Sequence, residues 1–126
     1  MNPANRRQHA RYAVEPGYTP VSLRLLDSER FTLEGHAYDI SEGGVMFELD
    51  RGVDPGTAVA VQITLPPAAQ DAGPGRSVFI FGNVVWLDDS EPGPVRMAVA
   101  FTRFARLGDR ERLLRALSHG RISRAA

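Results

Sequence analysis

The residues equipped for chemistry fall into two groups. Arg7 and Arg11 stand four positions apart, with Arg6 adjacent and no acid among residues 1–11. Two guanidiniums at that spacing share one face of a helix, or curl around a single anion from a loop. A solvated basic tail is the plainer explanation, and spacing alone favours it. The second group is Asp39-Ile40-Ser41-Glu42-Gly43-Gly44, between two apolar β-forming runs. A hairpin needs only turn residues such as Asn-Gly or Asp-Gly there. A carboxylate, a hydroxyl and two adjacent glycines also allow a ligand to come close to the backbone.

Catalytic chemistry finds no such support. His9, His36 and His119 are far apart and lack metal-ligand spacing. Ser41 has no evident base, and no nucleophile elbow, Walker loop or dinucleotide fingerprint occurs. The carboxylates lie mostly in turns, where solvated surface charge is the usual reason. The expectation is a protein that is not an enzyme and holds no metal or cofactor.

The elements that must position these groups read as strands. Val21, Leu23 and Leu25 alternate with polar residues, and Phe31 to Tyr38 resumes the period, with Gly35 as the expected bulge. After the Asp39–Gly44 turn, Val45, Phe47 and Leu49 share one face. Val59, Val61, Ile63 and Leu65 form the cleanest inward face. The stretch from Pro66 to Gly75 reads as a flexible excursion. Ser77 to Leu87 is a long strand with a bulge or bend expected at Gly82. Val95, Met97, Val99 and Phe101 complete a set of about six strands. Short turns between them point to a closed antiparallel barrel or a sandwich, and closure removes exposed edges. The period then changes: Asp109 after Gly108 reads as an N-cap, and Leu113, Leu114 and Leu117 form a helical stripe. The expected organisation is a flexible arm over residues 1–18 and a barrel over residues 19–126, with its helix at about 109–119.

At 126 residues the chain suits one domain with a modest core, and 43% hydrophobic with 24% charged residues is ordinary for a globule. It has no cysteine, no apolar run long enough to span a bilayer, and no signal-peptide pattern at its start. A cytoplasmic protein without a membrane span is expected. Net charge is +0, but basic ends bracket an acidic middle: residues 103–126 hold seven arginines against Asp109 and Glu111. Every basic residue is arginine, whose fork suits phosphate and guanine edges. Genomic composition explains that bias equally well.

Arg7-x-x-x-Arg11 followed by Tyr12 and Val14, then Asp39-x-Ser41-x-x-Gly44 opening a strand, resembles the PilZ domain family. Gly82-Asn83-Val84-Val85-Trp86 is similar to that family's Gly-x-Val-x-Trp strand. Met97-Ala98-Val99-Ala100-Phe101 is similar to its late strand, with Ala98 where glycine is usual. The resemblance implies an all-β fold, a six-stranded antiparallel barrel with a C-terminal helix. It also implies binding of the bacterial second messenger cyclic di-GMP. On that footing Arg7 and Arg11 take phosphate and guanine, and Asp39 accepts from a guanine N–H edge. Ser41 bonds the base or orders the turn, while Gly43 and Gly44 let backbone amides approach. Arg6 goes with capture of two stacked ligands, and Trp86 is either a barrel residue or a stacking platform. The output then passes to an unidentified partner protein controlling motility, biofilm or virulence.

Two rival readings remain. One is an adaptor of the same family, as in type IV pilus assembly, that no longer uses the nucleotide. The other is a nucleic-acid-binding barrel, disfavoured by the near-zero charge, the acidic middle and a lack of interleaved surface aromatics. The arginines of the C-terminal segment, among them Arg110, Arg112 and Arg115, read as solubilising the helix.

Overall fold

The computed structural model describes residues 12–13, 19–65, 77–118 and 123–124. Arg6, Arg7 and Arg11, and the excursion from Pro66 to Gly75, lie outside the described residues. The elements run β1 (Tyr12–Ala13), β2 (Pro20–Leu25), β3 (Leu33–Ile40), β4 (Gly44–Leu49), β5 (Ala58–Thr64), β6 (Ser77–Asp88), β7 (Val95–Phe104), α1 (Asp109–Ser118) and β8 (Ser123–Arg124). All strand pairs are antiparallel, in the order β2-β5-β6-β7-β4-β3, and β2 also pairs with β3. The six long strands therefore close into a barrel. The seam is the β2–β3 ladder from Pro20↔His36 to Leu23↔Leu33. The two-residue strands β1 and β8 extend the sheet on the outer edge of β3.

The period of two places most of the core where the sequence predicts it, though Leu25 is exposed and Phe101 only half-buried. Val21, Leu23, Val45, Phe47, Leu49, Val59, Val61, Ile63, Leu65, Met97 and Val99 are all buried. Leu113, Ala116 and Leu117 of α1 join the same cluster. The helical stripe thus runs through Ala116, and Leu114 is only half-buried. Asp109 does not cap the helix with its carboxylate as expected. It is fully buried and accepts from the Phe79 N–H of β6 at 2.9 Å, from Arg106 Nε at 3.1 Å and from Arg112 Nη1 at 2.7 Å. A buried carboxylate needs such saturation, because each unmet bond leaves a desolvated charge.

Of two expectations about irregularity, one changes and one holds. Gly35 is not the bulge. In the β3–β4 ladder Ala37 pairs with Phe47 and Asp39 with Met46, so Tyr38 is the inserted residue. Gly35 instead meets the Glu48 carbonyl so closely that any β-carbon would overlap it. The expected irregularity at Gly82 does occur, with the extra residue, Thr102, on the facing strand β7. A second shift lies further along β6: Val84 pairs with Val99 and Trp86 with Ala98, leaving Val85 over. A bulge resets side-chain alternation. Val84 is buried, whereas Val85 and Trp86 both face out, 57% and 40% exposed.

Candidate functional site

β3 runs to Ile40, two residues beyond its expected end, so Asp39 lies within the strand rather than in the turn. The turn is reduced to Ser41-Glu42-Gly43, and Gly44 already belongs to β4. Three hydrogen bonds fix it. Ser41 N–H donates to the Gly44 carbonyl at 2.9 Å, and Gly43 N–H donates to Ser41 Oγ at 3.1 Å. Phe101 N–H of β7 donates to the Gly43 carbonyl at 2.9 Å. The Ser41 hydroxyl therefore orders the turn. Gly44 has a sheet-packing reason to be glycine, since a β-carbon there would stand 2.6 Å from the Val99 carbonyl oxygen. Its lack of a side chain lets β4 and β7 approach, whatever a ligand requires.

The register aligns residues that are distant in sequence. Ala13 pairs with Asp39, Asp39 with Met46, Met46 with Ala98, and Ala98 with Trp86. Met46 and Ala98 alternate with buried neighbours, so they face outward, and the exposed Trp86 continues the same row. The result is a band across the outer barrel wall with a carboxylate at one end and an indole at the other. Trp86 is therefore a barrel residue on the outer face rather than in the core, and its reading as a stacking platform belongs to the proposal below. Ala98 sits at the middle of the band.

The sequence does not reveal Met46 as part of this band, although its place between Val45 and Phe47 marks it as outward-facing. Another connection has no local signal at all: Glu42 in the turn is ion-paired with Arg110 Nη2 of α1. Arg112 pairs with the buried Asp109. Two of the helix arginines read as solubilising are thus structural partners. β1 is held on both sides, with Tyr12 paired to Ile40 and to Arg124, and Ala13 to Asp39 and to Ser123.

Elsewhere the surface is better explained by packing. Arg103 lies 4.4 Å over the Phe81 ring, Arg106 4.4 Å over Phe79, and Arg24 5.5 Å from Phe31. Aromatics interleaved with arginine do therefore exist, contrary to the sequence reading. Each ring is already covered by a guanidinium, so the layer shields the wall of β2, β5 and β6. A cavity of about 430 Å³ beside β2, β3 and β4 is lined by Glu34, His36, Glu48 and Asp50 among others, apart from the motif residues. Among the described residues no three His, Cys, Asp or Glu side chains are grouped to hold a metal ion. No described helix is long and apolar enough to cross a membrane. Asp88 is the described carboxyl with a clear titration shift. It is held below its ordinary value by the Ser90 hydroxyl, donating at 2.6 Å, and then by the Ser90 N–H at 3.0 Å.

The fold is shared with solved structures. The Bacillus subtilis inhibitor of motility, MotI/DgrA, aligns with a TM-score of 0.65 and 22% identity over 90% of this chain and 50% of that one. This chain thus spans half the length of that protein. The PilZ domain of YcgR from Escherichia coli, solved with c-di-GMP, aligns with a TM-score of 0.57 and 15% identity, over 90% of this chain and 92% of that one. No curated protein sequence matches. Residues 5–119 match the profile of the PilZ domain, so the arginine pair, the Asp-x-Ser-x-x-Gly turn, the barrel and α1 all fall inside the match. The chain belongs to the PilZ domain family.

Proposed function

We propose that this protein is a non-enzymatic cytoplasmic receptor for cyclic di-GMP that relays binding to a partner protein in motility, biofilm or virulence control. The observation that carries this reading is the β1–β3 register. Tyr12, which follows Arg11 in the sequence, pairs with Ile40, and Ala13 pairs with Asp39. The arginine motif is therefore covalently next to a segment paired with the end of β3 that leads into the Ser41–Gly43 turn, although Ala13 and its partner Asp39 are 26 positions apart in the sequence. The family match and the YcgR domain solved with c-di-GMP lend support.

In this reading Arg7 and Arg11 donate to a phosphate and to guanine O6 and N7, as planar forks do well. Asp39 accepts from the guanine N–H edge. The Ser41 hydroxyl, whose oxygen already accepts from Gly43 N–H, keeps its proton to donate. Met46, Ala98 and Trp86 offer an apolar floor on which a base can stack. Arg6 is the further cation for a second stacked ligand. Titration calorimetry with cyclic di-GMP tests the proposal: heat at micromolar protein is expected. A folded sample giving none would overturn it. Arg7→Ala and Arg11→Ala should each abolish the heat while leaving the thermal unfolding midpoint unchanged.

A further inference from the structure

An ion pair between Glu42 and Arg110 ties the turn that carries Ser41 and Gly43 to the C-terminal helix. Its two ends are anchored differently. Arg110 follows Asp109 in the chain, and the Asp109 carboxylate is locked to β6, Arg106 and Arg112. Glu42 sits at the tip of a three-residue turn with backbone bonds to β4 and β7. The pair therefore adds a side-chain tie between the helix clasped at Asp109 and a turn otherwise held by its backbone bonds and the Ser41 hydroxyl. An anion arriving at the turn would meet Glu42 with its charge already countered. β1 reinforces the link, because the same two residues pair with β3 on one side and β8 on the other.

We infer that Arg110 is a positioning residue of the ligand turn, and that through its pair with Glu42 helix α1 reports whether the turn is occupied. This rests on the reading of the turn as a ligand site. The coupling is reciprocal by thermodynamic necessity: what α1 contributes to ligand affinity, the ligand returns to α1. Its size is bounded. Arg110 is 52% exposed and Glu42 27%, and pairs of that exposure shift equilibria about two- to fivefold.

The experiment compares wild type, Glu42→Gln, Arg110→Gln and the double variant by amide hydrogen exchange without ligand. Exchange at Ser41, Gly43 and Phe101 should speed up about two- to fivefold in each variant. The double should be no faster than either single, the mark of one shared interaction. Unchanged exchange, or a double equal to the product of the singles, would overturn the positioning role. In a second arm, saturating cyclic di-GMP should slow exchange of the α1 amides in wild type and leave them unchanged in Arg110→Gln. Equal slowing in both would overturn the coupling. If wild type binds no nucleotide but the first arm shows the shared effect, Arg110 keeps its positioning role. In that case the nucleotide reading and the reporting by α1 both fall.

Discussion

Asp109, the first residue of α1, and Asp39, near the end of β3, are carboxylates in contrasting settings. Asp109 is fully buried and takes bonds from a strand N–H and two guanidiniums, so it clasps α1 to β6. Asp39 is half-buried at the end of β3, on an outward row with Met46, Ala98 and Trp86. A carboxylate spent on architecture is buried and saturated, because desolvation without partners is too costly. One reserved for a ligand must keep a face in water. Asp109 is the polar clasp of the fold, and Asp39 is the group to which the proposed function gives recognition.

The strongest way to break this contrast is Asp109→Ala. Removing the shared acceptor strands the Phe79 N–H and unpairs Arg106 and Arg112, which reach solvent. A loss of about 2–4 kcal/mol is expected, read from the urea midpoint at constant slope. Asp39→Ala should cost less than about 1 kcal/mol by the same measurement while weakening cyclic di-GMP at least about tenfold by calorimetry. If Asp39→Ala unfolds the barrel as Asp109→Ala does, the two carboxylates share one structural role and the contrast is wrong.

The smallest effect sharpens a third case, the exposed Asp88. Its carboxyl titrates below the ordinary value because Ser90 stabilises the charged form. A depressed folded value means the contribution is present above the unfolded value and is lost as pH falls through the folded one. Ser90→Ala should move the Asp88 carboxyl signal upward, toward the ordinary 3.8, in an NMR titration, with the unfolding midpoint at neutral pH unchanged. A large midpoint change would mean that this turn, too, is architectural.

Much of the barrel was legible because burial imposes a period of two on strands, and Val59 to Leu65 or Val45 to Leu49 carry it without interruption. The irregularities were less so. Gly35 has the residue type of a bulge, yet the insertion falls at Tyr38, because what forbids a side chain at Gly35 is the Glu48 carbonyl across the ladder. The sequence left open which way Trp86 faces, and the extra residue Val85 turns it out. The Asp39–Gly44 motif was readable as a dense polar turn. Its partner in α1 was not, since nothing local marks Glu42 and Arg110, 68 residues apart, as a pair.

The sequence by itself determined most of the core, that strands alternate with tight turns, and that a helix follows them, since these rest on local period and turn chemistry. It also held the arginine and Asp-x-Ser-x-x-Gly motifs in order. Only the tertiary structure decided that β2 closes on β3, that Asp109 is a buried clasp, and that Ala13, Asp39, Met46, Ala98 and Trp86 share one row. Those outcomes depend on register and bulges between strands remote in sequence, where shifting the pairing by one residue turns every side chain to the opposite face.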